Sequence, residues 1–351
     1  MRGEQEPGQN PLSTSARLDR PEADGPVLFV LGKWYGFRPG NPPSNHFHNL
    51  IGSLESTGLA NHVVFPIDEV TYALNGQGCD RSLYDLCQRL RPALIVVGMS
   101  LAASMFERFL PRAETLFRLR RELGTPIVGI LGDTSRPGFM DLPNAYTTAI
   151  DAFNVWDNYE AFLHEALDPD RYWPTWTPQD RRVFHDAGRP RDLDVSFVGM
   201  LSSGPERSLA IARLREHGVR VHQVGGQGDA CVPLEELASI YQRSKIVLNF
   251  AQVHTNVTAC RGRVFEATMC GAMLLEGDNP HTNRWLQPGR HYAPYRNLDE
   301  LVFAVEYYLQ HDDARTRISK QGHDHVHAHC SAEAYWRPLL ELARQPCATA
   351  R

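Results

Sequence analysis

The segment Arg261-Gly-Arg-Val-Phe-Glu-Ala-Thr-Met-Cys-Gly-Ala-Met-Leu-Leu-Glu-Gly-Asp278 concentrates the chemistry of this chain. It reads as a short helix, a glycine stop at Gly271 and an apolar strand. Phe265, Met269 and Ala272 share one helical face. Glu266 is expected in the first turn, where the helix dipole favours a carboxylate. One carboxylate at a helix start beside Arg261 and Arg263 suits hydrogen bonding to vicinal hydroxyls, such as those of a ribose. The plainer alternative is an amphipathic helix whose Glu only complements the dipole.

A second segment, Asp194-Val-Ser-Phe-Val-Gly-Met-Leu-Ser-Ser-Gly-Pro-Glu-Arg207, ends an apolar strand at Gly199. A small-residue loop follows, and Pro205 suits a helix start. Amides at such a start can bind phosphate, and Arg207 adds a planar cationic fork. Next come Val221-His-Gln-Val-Gly-Gly-Gln-Gly and then Val232-Pro-Leu-Glu-Glu-Leu, leading through a helix to Ile246-Val-Leu-Asn-Phe250. Taken alone, Gly225 and Gly226 would form an ordinary turn, and Asn249 would cap a strand end.

Together these motifs, in this order and spacing, resemble the nucleotide-binding half of GT-B glycosyltransferases. The group-1 (retaining) branch has a similar Glu-Ala-x-x-Cys/Ala-Gly run, and Arg-Val-Phe before the Glu is most like the spore-maturation type. The resemblance covers about Leu193 to Leu340 well and the preceding half in outline. It implies a nucleotide-diphospho-sugar donor held by Gly199, Ser203, Arg207, Gly225, Val232, Asn249, Arg263 and Glu266. It further implies a sugar transfer to an acceptor hydroxyl, with no cofactor and no metal, because Arg207 and helix-start amides meet the diphosphate. One position departs from the pattern. Group-1 enzymes commonly carry a second Glu at an E-x7-E spacing, and here that position is Thr258. Donor-sugar contacts must differ, and the stereochemical outcome stays open. His254, Asn256 and Thr258 are candidates for sugar hydroxyls. Two rival functions remain: a nucleotide-sugar 2-epimerase on the same fold, and a degenerate nucleotide-binding or assembly protein.

In the preceding half, the loop Gly32-Lys-Trp-Tyr-Gly-Phe-Arg-Pro-Gly-Asn-Pro-Pro-Ser-Asn-His46 directly follows an apolar strand, where open α/β sheets bind ligands. It lacks the G-x-G-x-x-G pattern of a dehydrogenase. Asp133 also follows a strand and is the best-placed candidate for a general base, with a helix N-cap as the alternative. His46 is a further catalytic candidate, although a cap or surface role suits it better. In Gly322-His-Asp-His-Val-His-Ala-His-Cys330, helical geometry pairs His323 with His327 and His325 with His329. Two histidines at that spacing make half of a zinc site, but no partner cluster is evident.

These residues require elements to position them. Apolar strands alternate with amphipathic helices from Val27 onward and again from Leu193. That pattern predicts an α/β protein of two Rossmann-like lobes, with parallel sheets and a cleft between them. The expected division is a disordered polar tail over 1–24, an acceptor-side lobe over 25–167 and a proline-rich crossover over 168–192. A nucleotide-sugar lobe over 193–330 and a C-terminal helix and tail over 331–351 complete it. With 351 residues, the chain has room for two cores. A net charge of -5 argues against general nucleic-acid binding. No apolar run approaches the roughly 20 residues that span a bilayer. Seven scattered cysteines without a C-x-x-C pair suit reduced thiols and a cytoplasmic setting.

Overall fold

The computed structural model describes residues 25–99, 107–132, 134, 138–157, 163–226, 231–254 and 257–344. The expected tail over 1–24 lies outside them, as do Asp133 and Asn256.

The first lobe runs β1 (Val27–Leu31), a π-helical segment (Phe47–Gly52) continuing into α1 (Ser53–Thr57), then β2 (His62–Pro66) and α2 (Ile67–Ala73). It continues through α3 (Asp80–Leu90), β3 (Leu94–Gly98), α4 (Ala113–Leu123), β4 (Ile127–Leu131), α5 (Asp141–Ala145), β5 (Ala152–Val155) and β6 (Tyr172–Pro174). The six strands lie in the order β2-β1-β3-β4-β5-β6, and every pairing is parallel. Every residue of β1, β3 and β4 is buried, as expected of strands covered on both faces.

The second lobe runs β7 (Leu193–Val198), α6 (Pro205–Glu216), β8 (Val221–Val224), α7 (Leu234–Arg243) and β9 (Ser244–Asn249). A small antiparallel pair, β10 (Gln252–His254) and β11 (Val257–Thr258), precedes α8 (Gly262–Met269) and β12 (Met273–Gly277). Then come α9 (Pro280–Asn283), β13 (Ala293–Tyr295), α10 (Leu298–Gln310), α11 (Asp312–His329) and α12 (Ala332–Arg344). Its parallel sheet has the order β13-β12-β9-β7-β8.

The crossover differs from its sequence reading. Tyr172–Pro174, expected to belong to neither core, pairs with β5 as the edge strand β6. Tyr172 stacks on Phe153 at 4.6 Å, and that burial draws the segment into the sheet. At the other end, α12 leaves the second lobe and packs on the first. Trp336 meets Phe29 edge-on at 5.7 Å, and its Nε1 donates to Ser53 Oγ at 2.9 Å. Tyr335 accepts a hydrogen bond from Trp156 Nε1 at 3.2 Å. The lobes also touch through Trp176 of the crossover and Trp285, whose rings lie 5.3 Å apart.

Candidate functional site

In the second lobe, chemistry gathers where β7, β8, β9 and β12 end and α6 and α8 begin. Two glycines allow this. Gly225 (φ 98°) sits so close to the end of β7 that a Cβ would lie 2.8 Å from Gly199 N. Gly199 itself has φ 153°, and a Cβ there would lie 2.9 Å from Arg263 NH2. A side chain at Gly199 would displace the Arg263 guanidinium, and one at Gly225 would collide with the Gly199 backbone.

Arg263, in the first turn of α8, is held on several sides. NH1 donates to Asn249 Oδ1 at 2.6 Å, NH2 donates to the Val198 carbonyl, and Nε donates to Tyr241 Oη at 3.3 Å. Its guanidinium also lies 4.8 Å from the centre of the Phe197 ring. Arg207, in the first turn of α6, is buried and donates from NH1 to the Met200 carbonyl at 3.0 Å. Its Nε is buried with no hydrogen-bond partner. Burial, together with the nearby charges of Arg263 and Arg261, pushes its guanidinium down to about 10. Three arginines crowd one another at two helix starts. Such a cluster is stable when an anion shares its donors.

Glu266 is not in the first turn, which contains no acidic residue. Arg261 occupies the N-cap, so the helix starts at Gly262 and Glu266 belongs to the second turn. Its carboxylate still reaches back, because an ideal Cβ on Gly262 would lie 3.1 Å from Glu266 Oε1. The same point is 3.7 Å from Thr177 and 3.8 Å from the Gln179 amide nitrogen, so the crossover overlies the start of α8. Gln179 Oε1 is buried there without a partner. Desolvation raises the Glu266 carboxyl to about 7, against the opposing pull of Arg263.

The remaining expected donor residues fall around this group. Ser203 closes a 3-10 turn (Leu201–Ser203) just before α6. Val232 packs, half-buried, against the core under α7 and α8. Asn249 is fully buried: it accepts from Arg263, and its amide donates to Glu276 Oε1 at 2.8 Å. Thr258 lies on β11, half-buried.

The sequence reading missed Glu276. It is the penultimate residue of the otherwise apolar β12 and is fully buried. Oε1 also accepts from Asn279 Nδ2 at 3.1 Å, while Oε2 has no partner. Desolvation raises this carboxyl to about 7 despite its amide donors. A lone carboxylate closing the run Met273-Leu-Leu-Glu276 was the available signal.

The first lobe presents a different face. Trp34 N and Lys33 N donate to the Asp68 carboxylate at 2.9 and 3.1 Å. Lys33 Nζ and Trp34 Nε1 donate to Glu69 Oε1 at 2.9 and 3.0 Å. His46 caps the π-helical segment and packs edge-on against Trp156 at 4.9 Å. Its Nδ1 lies 3.3 Å from where a Gly98 Cβ would stand, which places it at the end of β3. Beside the position of Asp133, Thr134 Oγ1 donates to Asp157 Oδ1 at 2.7 Å. Asp157 is near enough to the second lobe for its charge to raise the Cys260 thiol, after burial and Glu276.

The histidine run is helical, with His323 and His327 rings 4.3 Å apart and His325 and His329 rings 4.6 Å apart. Among the described residues, no group of three or more His, Cys, Asp or Glu is placed to hold a metal ion. No described helix is long and apolar enough to cross a membrane.

Residues 207–341 match the family described as glycosyl transferase-like. Over 87 residues the chain is 38% identical to an O-glucosyltransferase rumi homolog of Aedes aegypti, a match that takes in 23% of this chain and 20% of that relative. Among solved structures, a glycosyltransferase from Rickettsia africae superimposes with a TM-score of 0.60 at 9% identity, covering 93% of this chain and all of its own. Anabaena HepE, solved with UDP and glucose, gives 0.58 at 11% identity, covering 90% of this chain and 98% of its own. Sucrose-phosphate synthase of Thermosynechococcus elongatus gives 0.59 at 11% identity, covering 90% and 96%. The architecture is therefore GT-B, with two Rossmann-like lobes. The second of them carries the segment that matches the glycosyl transferase-like family.

Proposed function

We propose that the protein transfers a sugar from a nucleotide-diphospho-sugar to an acceptor hydroxyl, without a metal ion. The observation that carries this reading is the crowding of Arg207, Arg261 and Arg263 at two helix starts beside the raised carboxyl of Glu266. In this reading the arginines and the amides of α6 take the diphosphate, and Glu266 takes the ribose hydroxyls. The bond between the sugar's anomeric carbon and the phosphate oxygen breaks, and its electron pair leaves on the phosphate. Cations fixed where that charge grows lower the barrier. The acceptor oxygen bonds to the anomeric carbon. Its proton passes to the leaving phosphate if configuration is retained, or to a first-lobe base, Asp133 or His46, if it is inverted.

The Arg-Val-Phe-Glu266 run favours the spore-maturation type within the group-1 branch, and the scattered cysteines favour a cytoplasmic setting. A thermal-shift screen against nucleoside diphosphates and their sugar conjugates tests donor binding. A ligand at a hundred times its dissociation constant should stabilise by about 2.7 kcal/mol. Appearance of a glycosylated acceptor, rather than free epimerised nucleotide sugar, then separates transfer from epimerisation. Thr258 at the position of the second family Glu favours one other reading, a nucleotide-binding protein without turnover. Tight nucleotide binding with neither transfer nor hydrolysis would establish it.

A further inference from the structure

Away from the arginine cluster, the loop after α9 and the C-terminal half of α11 line an open pocket of about 500 Å³. Its wall includes Arg284 and Arg290 from the loop, His291 at the loop's end, and His325 and His329 from α11. No carboxylate lines it, and none of its residues belongs to the nucleotide site. We propose that this pocket is a second anion site, which binds a soluble phosphate or sulfate ester together with a proton.

The argument starts from the imidazoles. His291 and His325 stack with ring centres 4.0 Å apart and planes 25° from parallel. Each has one nitrogen committed. Gln287 N donates to His291 Nδ1 at 3.1 Å, so that nitrogen cannot take a proton without breaking the bond. His325 Nε2 faces the Trp285 carbonyl at 2.8 Å and must donate to it. In the neutral ring this leaves His325 Nδ1 as the basic atom.

The surroundings oppose its protonation while the pocket is empty. Burial, then His329 and Arg290, hold the His325 imidazole below its ordinary range, against the help of the Trp285 carbonyl. Burial, His325, Arg290 and His329 hold His291 at about 4. The nearby acids are engaged elsewhere. Asp324 pairs with Lys320 at 2.7 Å and lies 3.6 Å from His323, while Glu333 of α12 pairs with Arg181 at 2.7 Å. Asp278 accepts a hydrogen bond from Asn283 at 3.4 Å. The missing negative charge is one that a bound ester supplies. Once it lies against Arg290 and the stack, an imidazolium at His325 becomes favourable, so ligand and proton bind cooperatively.

Inorganic sulfate is the probe, because it keeps its double charge across the range and the pH dependence then reports the protein's protons alone. Nitrogen NMR of the imidazoles should show His325 Nδ1 gaining its proton as sulfate is added. Affinity should rise by roughly tenfold or more from about pH 7.5 to about pH 5.5, in step with one linked proton. Arg290→Ala, an exposed change, should abolish both effects, and Arg207→Ala should leave both intact. His325→Gln can still donate to the Trp285 carbonyl but takes no proton, so its sulfate affinity should be weak and independent of pH. A hexose phosphate in solution should compete with sulfate, whereas vesicles containing phosphatidic acid should not bind. The proposal is overturned if sulfate leaves the imidazoles unchanged. Equal binding in Arg290→Ala, or binding to vesicles with none to the free ester, would overturn it too.

Discussion

The strand ends of the two lobes treat charge in opposite ways. In the first lobe Lys33 is answered by Glu69, the backbone of Lys33 and Trp34 by Asp68, and Asp157 by Thr134. In the second lobe, burial and the charges of Arg263 and Arg261 depress Arg207, whose Nε has no partner, and the Glu266 carboxyl is raised to about 7. A self-satisfied surface can receive a neutral, hydroxyl-bearing acceptor at little electrostatic cost. A surface left cationic and strained is organised for a phosphate that arrives and leaves. We propose on this physical ground that the donor belongs to the second lobe, and four variants test the contrast.

The largest effect is expected from Arg207→Ala. Removing a fixed donor at the developing charge should lower kcat by about 10²–10³. Affinity for nucleoside diphosphate should fall while that for the bare nucleoside stays unchanged, as competition binding would show. Equal losses for both would remove the diphosphate role and with it the asymmetry between the lobes.

Asp133→Asn probes the other face. If the acceptor proton goes to the protein, turnover should fall by about 10² with donor affinity untouched. If the leaving phosphate takes the proton, acceptor KM should rise more than kcat falls. Wild-type kinetics would leave Asp133 as a helix cap.

Glu266→Gln should weaken nucleotide binding by roughly 1.5–3 kcal/mol, the worth of a hydrogen bond to a charged group. The sign of the pH dependence follows from the raised carboxyl. Hydroxyls binding the ionised form pull the proton off, so affinity should increase as pH rises through about 7. Calorimetry across that range should find the rise flattened in the variant.

The smallest effect concerns stability. A carboxyl raised in the folded state to about 7 is protonated there while its unfolded counterpart, near 4.5, is already ionised. The native state then binds more protons, and stability falls as pH climbs between those values. Glu276→Gln should reduce that decline in urea titrations and leave stability at low pH nearly unchanged. An identical slope in the variant would mean that Glu276 is ionised in the fold.

Much of this was legible because it depends on local pattern. Buried parallel strands announce themselves as apolar runs, and Pro205 marks the start of α6 in the sequence itself. The positions of Arg207, Arg263, Asn249 and the two glycines are legible because each stands at a strand end or helix start, where position in the sequence predicts position in the fold. What escaped was non-local. Glu266 was placed one turn too early because nothing in Arg261-Gly-Arg says which residue becomes the cap. β6 was hidden in a proline-rich stretch, since an edge strand of three residues has no period to detect. Glu276 owes its raised carboxyl to burial between elements, and its partners Asn249 and Asn279 are brought together only by the sheet and the following turn.

The docking of α12 on the first lobe has a consequence for how the chain is made. Trp336 and Ser53, bonded in the finished fold, are 283 residues apart in sequence. A ribosome adding roughly 5–20 residues per second needs on the order of 15–60 s to span that interval. Throughout that time Phe29, Leu54 and Val96 lack a cover that the native core includes. The lobe synthesised first is thus the last to be completed, and its nascent form is the one that folding helpers in the cell would need to shield.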